Sequence, residues 1–536
     1  MTSKLSTQSG IPLQPVYRPE DLSDAPYEKD LADPGSFPYT RGRRLEADGG
    51  NWIWRELSGE GDPKRSNEQL KYLLSKGQMG IDFVADTPTY TMLDADHPQA
   101  RHAVGTQGVS LCRKVDYVDL LRDIPLDEIS VSASVRAEFG IIGLYMATRE
   151  LGFDPALLRG SVIQSTLYGE DCCYAVHLPL DLRLRLTCDS IEFSSEKMPK
   201  FHSFIEDTYY ISDGGLDAVE EMALGFIEIR FIVRELLRRG VPIDSFAPRI
   251  AILVNGHTDL FETVAKIRAT RRLFARMMRD EFGAKDPRSM AVNVTGHSSG
   301  LSLTAEQPAN NIVRGAIQAL AMALAGVQAM EISTFDEAYR TPSPQSHEVG
   351  LRTQQIIQLE SLVSQVNDPL GGSYFVENLT DDVENRIWKM VSDIEATGDI
   401  MDLSEQGYFR RIFADTMVRN ANWVAEGRQK KVGVNCFQVP PEEDTLLRDI
   451  VEQKFEPAHA HVEKVKRFRA ERDQGAVDDA LRLVLDCVKE SETNLMYPMM
   501  DALEANATMG EIAGILRVAC GHPYDPFHAV ESPIAA

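Results

Sequence analysis

RIAILVNGHTDLFETVAKIRATRRLFARMMRDEFGAKDPRSMAVNVT, residues 249–295, holds one complete structural unit of this chain. Arg249–Asn255 is a short apolar run. Asp259–Phe282 places apolar residues at helical spacing, and Met290–Thr295 is a second short run. A strand, a long amphipathic helix and another strand make a parallel crossover, because two residues of turn cannot bring parallel strands together. The same rhythm extends in both directions. Further strand-like runs are Met79–Ala85, Ile129–Val135, Ser161–Leu167, Ser190–Ser194, His202–Glu206 and Ala329–Thr334. Leu216–Arg239 and Ala309–Ala325 are further helical patterns. Eight runs, most followed by a helix, predict an α/β fold of the (β/α)8 TIM-barrel type. An open doubly wound sheet would carry a Gly-rich fingerprint after an early strand, and none is present.

Outside this rhythm the texture changes. Residues 1–50 are rich in Pro, Asp and Gly and predict an extended N-terminal arm. Residues 51–400 carry the barrel, and 401–536 a C-terminal helical appendix. In the appendix, Val477, Ala480, Leu481, Val484, Leu485 and Val488 share one helical face. Thr508 followed by Glu511 is a capping-box start for a last helix. There is no internal repeat and no low-complexity tract.

A net charge of -25 argues against binding nucleic acid non-specifically or docking on an anionic membrane. No apolar run approaches the roughly 20 residues of a membrane span. The start is polar, so the cytoplasm is the expected location. The seven cysteines show no CxxC spacing, and no HExxH occurs. They are expected to be reduced structural thiols, with no metal site.

In a barrel, ligands meet the C-terminal ends of the strands. The candidates there are Asp86, Tyr90, Tyr209, Tyr210, Asp213, Asn255, His257, His297, Glu331 and Glu337. No set of them has the spacing of a nucleophile with its base. A barrel mouth without acid–base machinery suits a reaction whose chemistry is carried by a cofactor.

Several segments, taken in order, resemble the methylmalonyl-CoA mutase family. They are Tyr39–Gly42 (YTRG), Ile124–Ser132 (IPLDEISVS), Phe246–Arg249 (FAPR), Val264–Lys266 (VAK), Ser299–Thr304 (SGLSLT), Arg352–Glu360 (RTQQIIQLE) and Asp368–Glu377 (DPLGGSYFVE). The resemblance runs from about Tyr39 to about Gly521. It implies a barrel threaded by the CoA pantetheine, with adenosylcobalamin as cofactor and a radical rearrangement as reaction. The family's cobalamin-binding domain carries an Asp-x-His-x-x-Gly motif whose histidine ligates cobalt, and this chain has no such motif. The resemblance is therefore to the large subunit of two-subunit relatives, similar to isobutyryl-CoA and 2-hydroxyisobutyryl-CoA mutases. It implies a small cobalamin-binding partner subunit that ligates the cobalt, a heterodimer or heterotetramer, and a G-protein chaperone as a further partner. By motif position, Gly59, Asp213, His297, Glu331 and Glu337 stand on the cofactor side. Arg55, Arg249 and Gln328 match CoA contacts, where a guanidinium suits phosphate oxygens.

The departures concern the substrate. Methylmalonyl-CoA mutases hold a free carboxylate with a tyrosine and an arginine. This chain has Leu57 and Cys173 at those places. Burying an unpaired carboxylate there would cost on the order of 3 kcal/mol or more. The 2-hydroxyisobutyryl-CoA type holds its substrate hydroxyl with an aspartate, and that position aligns with Val84. The family's tyrosine–histidine pair is Tyr209–Tyr210 here, and a family histidine near the last strand is Glu331. The family glutamine of the third strand aligns with Ile163 or Gln164, and Arg43–Gly50 replaces part of the family's CoA-contacting run. Three readings stay open. One is a mutase acting on a compact acyl-CoA without a free carboxylate, isobutyryl-like or hydroxyacyl. The second is a mutase whose substrate is carrier-bound or not a CoA ester. The third is an inactive, mutase-like interaction subunit.

Overall fold

The computed structural model describes residues 6–22, 27–45, 51–452, 456–490 and 492–534. Nine strands form one sheet: β1 (Ile53–Trp54), β2 (Leu57–Ser58), β3 (Gly80–Val84), β4 (Ser130–Ser134), β5 (Arg159–Gln164), β6 (Phe201–Asp207), β7 (Ile250–Gly256), β8 (Asn293–Ser298) and β9 (Ala329–Glu331). Their order is β1-β9-β8-β7-β6-β5-β4-β3-β2. The pairs β1–β9, β2–β3, β3–β4, β4–β5, β7–β8 and β8–β9 are all parallel. The two ends of the order, β1 and β2, are separated only by Arg55 and Glu56. They are two halves of one broken strand, so the nine count as eight around a (β/α)8 barrel. Each of the eight is followed by a helix: Pro63–Ser75, Lys114–Leu121, Ala137–Glu150, Leu180–Lys197, Ala218–Arg238, Leu260–Arg276, Ala309–Ala325 and Pro344–Leu359.

Seven of the expected runs overlap strands, and the eighth does not. Ser190–Ser194 lies inside helix Leu180–Lys197. An apolar run of five residues cannot tell a strand from a helix segment. Here Leu182, Leu186, Ser190, Ile191 and Ser194 share a buried helical face. The strand missing from the sequence reading is β1/β2, whose halves of two residues are too short to show a period. The expected run Met290–Thr295 also starts early. Asp286 caps a turn of helix at Pro287–Met290, so β8 begins at Asn293 and contains His297.

The described residues cluster into two compact units. The first comprises 1–56, 171–173 and 205–453; the second comprises 57–170, 174–204 and 454–536. In the first, β7 and β8 turn Gly256 and Gly296 toward helix Ala309–Ala325, where an added Cβ would meet the Met322 sulfur at 3.0 and 2.3 Å. Asn255, Thr295, His297 and Glu331 therefore face the opposite, inner side. Two segments of the sequence resemblance, YTRG and DPLGGSYFVE, are joined here through the helix that carries a third, VAK. Asp368 accepts hydrogen bonds from Arg41 Nε at 2.9 Å and from Arg268, and Arg268 also reaches Glu377 at 2.6 Å.

In the second unit, Ile81, Phe83, Val131, Ala133 and Val162 form a row at most 2% exposed. A Cβ at Gly140, in helix Ala137–Glu150, would meet the Val162 side chain, so this row faces the helices. The other face carries Asp82, Val84, Ser132, Ser134, Ser161 and Ile163. Ser132 and Ser161 hydroxyls lie 2.7 Å apart, and Ser134 donates to Asp82 at 3.3 Å. Barrel interiors are usually filled by branched aliphatic side chains, and this lining is small and polar instead. The C-terminal helices pack within the same unit. Arg185, on helix Leu180–Lys197, donates to the carbonyls of Cys487, Val488, Glu490 and Thr493. The Thr508–Glu511 capping box is formed.

Candidate active site

In the first unit, the inner ends of β7, β8 and β9 and the short helix Thr208–Asp213 build one continuous polar cluster. Asp207 caps that helix by accepting the Tyr210 N–H at 3.2 Å. Asn255 donates its amide to Asp213 at 2.6 Å. Burial raises the Asp213 carboxyl above the usual range, against hydrogen bonds from Tyr209 and Asn255. Burial also raises the Tyr209 phenol, with the Asp213 charge adding to it. The ring of Tyr209 lies 4.6 Å from that of His297 and 5.8 Å from that of Tyr210. Gly300 closes over the pair: a Cβ there would stand 3.0 Å from both Tyr209 Oη and Asp213 Oδ2.

His297 lies 2.8 Å from the Ser298 carbonyl through Nδ1, an acceptor that requires the proton on that nitrogen. Its Nε2 points toward Glu331, 3.9 Å away, and has no hydrogen-bond partner. His297 and Glu331 are register partners on β8 and β9. Glu331 in turn pairs with Arg55 at 2.9 Å, with both side chains at most 5% exposed. Burial pushes Glu337 up to about 8, opposed by a hydrogen bond from Ser333 and assisted by Asp336 and Asp213. At neutral pH its carboxyl is thus protonated and can both donate and accept.

His257 takes part in a second network. Its Nε2 lies 3.0 Å from Ser212 Oγ and 3.1 Å from Glu221 Oε2. A serine–histidine–carboxylate relay needs the two partners on different ring nitrogens. Here both share one, so the group is not a triad. Glu221 also receives the buried Lys266 ammonium at 2.7 Å, and Lys266 reaches the Asn255 carbonyl at 2.6 Å. This network holds β7 in place under Asn255. Sequence spacing gives no sign of it, because the contacts that Ser212 and Glu221 make with Asn255, His257 and Lys266 span 34 to 45 residues.

A pocket of about 930 Å³ opens beside the cluster, lined by Ser212, Asp213, His257, Ser299, Arg314 and Lys431 among others. Arg249 and Gln328 lie elsewhere. Each precedes its strand, β7 or β9, at the N-terminal face of the barrel. Gln328 accepts the Val294 N–H at 2.8 Å and donates to the Gly326 carbonyl at 2.9 Å, so both ends of its amide are engaged by backbone. Arg55 is level with the C-terminal end of β9. Of the three CoA-side residues, the fold groups Arg249 with Gln328 and sets Arg55 against Glu331 instead.

In the second unit, Leu57 is the register partner of Asp82, and Val84 shares the Asp82 face. Leu57 and Val84 are half-buried. Ile163 lies on the inner face with Ser161, whereas Gln164 donates to Ser190 Oγ at 3.1 Å and to the Ser203 carbonyl at 2.8 Å. Gly59 has φ +144°, and a Cβ there would stand 2.6 Å from the Val84 carbonyl oxygen. Sheet packing alone requires glycine at that position. Asp86 caps the turn Thr87–Tyr90 and accepts the Gly105 N–H at 2.8 Å, while burial raises it to about 6. Tyr90 stacks on Tyr174 with ring centroids 4.9 Å apart. Cys173 ends the π-turn Gly169–Cys173, and its side chain lies outside the described residues, as do residues 46–50 of the stretch before Trp52.

Known proteins carry the same pattern. The family profile for methylmalonyl-CoA mutase matches residues 6–522. The 2-hydroxyisobutanoyl-CoA mutase large subunit of Aquincola tertiaricarbonis is 34% identical over 515 residues, covering 95% of this chain and 91% of that protein. The methylmalonyl-CoA mutase of Escherichia coli (strain K12) is 32% identical, covering 99% of this chain and 74% of that protein. The mitochondrial methylmalonyl-CoA mutase of Homo sapiens is 30% identical, covering 96% and 68%. The barrel, its polar lining and this match over nearly the whole length place the chain in the methylmalonyl-CoA mutase family of isomerases.

Proposed function

We propose that this chain is the large subunit of an adenosylcobalamin-dependent carbon-skeleton mutase acting on a compact acyl-CoA that lacks a free carboxylate. Residues 1–50 form its arm, 51–400 its barrel and 401–536 its helical appendix. The observation that carries the substrate class is the inner face of β2 and β3, where Leu57 and Val84 stand half-buried. Packing a free carboxylate against two such side chains costs on the order of 3 kcal/mol. A branched, neutral acyl group gains there from the same contact. Asp82, on the same face and hydrogen-bonded to Ser134, offers an acceptor for a hydroxyl on that group.

The Glu337 carboxyl, protonated at neutral pH, suits the hydroxyl-rich sugar of an adenosyl group, because a neutral acid pairs with a hydroxyl in either direction, and the Asp213 carboxyl offers a further acceptor. The 930 Å³ pocket beside Asp213 supplies room for it. When bound, adenosylcobalamin supplies a carbon radical that takes and returns a substrate hydrogen; the cobalt ligand comes from a small partner subunit. The chain's own residues bind, orient and exclude water. Tyr210 donates its phenol to the thioester carbonyl. Arg249, at the N-terminal face, pairs with CoA phosphate. The inner-face hydroxyls of Ser132 and Ser161 suit the polar amides of the pantetheine. Cys112, Cys436, Cys487 and Cys520 are free thiols, as suits work in the cytoplasm.

The test combines the chain with a small cobalamin subunit of this family, adenosylcobalamin and a panel of acyl-CoAs. A cob(II)alamin absorbance or paramagnetic signal with isobutyryl-type or hydroxyacyl CoA, and none with methylmalonyl-CoA, is expected. A signal only with a free or carrier-bound acid would refute the CoA assignment. A formed complex that is silent with every substrate would refute catalysis.

A further inference from the structure

The chain contains one His-x-His sequence, His459–Ala460–His461, and spacing alone assigns it no further ligand. The two histidines differ in the fold. His459 is exposed, whereas His461 is 1% exposed and neither of its ring nitrogens has a hydrogen-bond partner. Buried polar groups are rarely left without partners, so this imidazole calls for one. It faces the start of helix Lys114–Leu121. A ring nitrogen of His461, Cys112 Sγ and a carboxylate oxygen of Asp116 all lie within 4.8 Å of one another, and all three residues are buried.

The geometry at two of the three is close to that of a bound ion. Cys112 Sγ stands 3.7 Å from Asp116 Oδ2. A tetrahedral zinc, about 2.3 Å from sulfur and about 2.0 Å from oxygen, sets that separation at about 3.5 Å. Asp116 is held in position: Oδ2 accepts the N–H groups of Cys112 and Arg113 at 3.0 and 2.9 Å, and the Arg113 guanidinium takes Oδ1 at 2.6 Å. Thiol, imidazole and carboxylate together are a donor set suited to zinc rather than to calcium or magnesium.

We propose that Cys112, Asp116 and His461 bind a thiophilic divalent cation of the zinc type, which fastens helix His459–Glu471 to the N-terminus of helix Lys114–Leu121. Cysteine spacing carries no sign of such a site, because the ligands come from segments about 350 residues apart, which spacing cannot join. On binding, the Cys112 thiol gives its proton to solvent and the thiolate becomes the ligand. A water molecule completes the tetrahedron. Arg113 already balances Asp116, so the thiolate and that water carry the rest of the response to the ion's charge. Binding is therefore weakened by acid, which returns the proton to the thiol. The site is independent of the mutase reading, since none of its residues belongs to the cluster around Asp213.

The experiment uses the full chain, expressed and purified without chelator, with metal content read by mass spectrometry. About one equivalent of zinc is expected. Replacing it with Co²⁺ gives a thiolate-to-cobalt charge-transfer absorbance. Cys112→Ser and His461→Gln each lower metal affinity by about tenfold or more and abolish the rise of Tm with added zinc. Zinc content unchanged in both variants would place the metal elsewhere and overturn the proposal. If a variant fails to fold, the wild-type chain decides alone. No zinc after folding with zinc sulfate present, and no thiolate band with Co²⁺, would mean that His461 is satisfied by buried water.

Discussion

Glu337 is a carboxyl that burial keeps protonated up to about pH 8, from an ordinary value of 4.5. Between those values the folded chain holds a proton that the unfolded chain has lost. The stability Glu337 contributes is complete below pH 4.5 and declines as pH rises through about 8. Glu337→Gln removes that slope, and thermal melts of the variant should be flatter than wild type across this range by on the order of a few kcal/mol. Melts that stay parallel would show that Glu337 titrates normally. Glu221 is shifted in the opposite sense, below its ordinary value, with Lys266 as its partner. Both side chains are fully buried, and the ammonium helps keep Glu221 below the usual carboxylate range despite burial. Lys266→Met strands that carboxylate, and urea unfolding should register a loss of about 3–5 kcal/mol. Arg55 and Glu331, each singled out in the sequence, turn out to be one buried ion pair. Residue type signalled two charged side chains near a ligand; only proximity showed that they neutralise each other.

At the level of elements, Gly59 joins β2 to the rest of the sheet under strict geometry. Its positive φ and the 2.6 Å approach to the Val84 carbonyl leave no room for a methyl group. Gly59→Ala should cost about 2 kcal/mol or more, measured as a lowered urea midpoint with an unchanged m-value. The same loss in complexes with and without cofactor would mark the role as structural, and a loss confined to the cofactor-bound complex would mark it as a contact. The sequence reading reached eight strands with one error on each side. Ser190–Ser194 belongs to a helix, and β1/β2 went unseen. Long amphipathic helices such as Ala309–Ala325 were legible to the residue, because many turns repeat the same pattern. Two-residue strands repeat nothing.

For the whole molecule, the network of Arg41, Asp368, Arg268 and Glu377 shows what several recognisable segments do. YTRG, the helix that contains VAK and DPLGGSYFVE hold one another, so their retention speaks for the fold rather than for catalysis. The proposed division of labour with a small subunit makes a further prediction. By isothermal titration, the isolated chain should bind adenosylcobalamin at least about tenfold more weakly than the two-subunit complex does. Tight stoichiometric binding by the chain alone would contradict a partner-held cobalt.

The sequence by itself determined the barrel class and the family. Periodicity and ordered motifs are local properties that survive without coordinates. Tertiary structure alone decided which side chains meet: Arg55 with Glu331, Ser212 and Glu221 on one ring nitrogen of His257, Gln164 turned to the helices, and His461 beside Cys112. These pairings join residues far apart in the chain, and their energies depend on burial and distance, which sequence spacing does not encode.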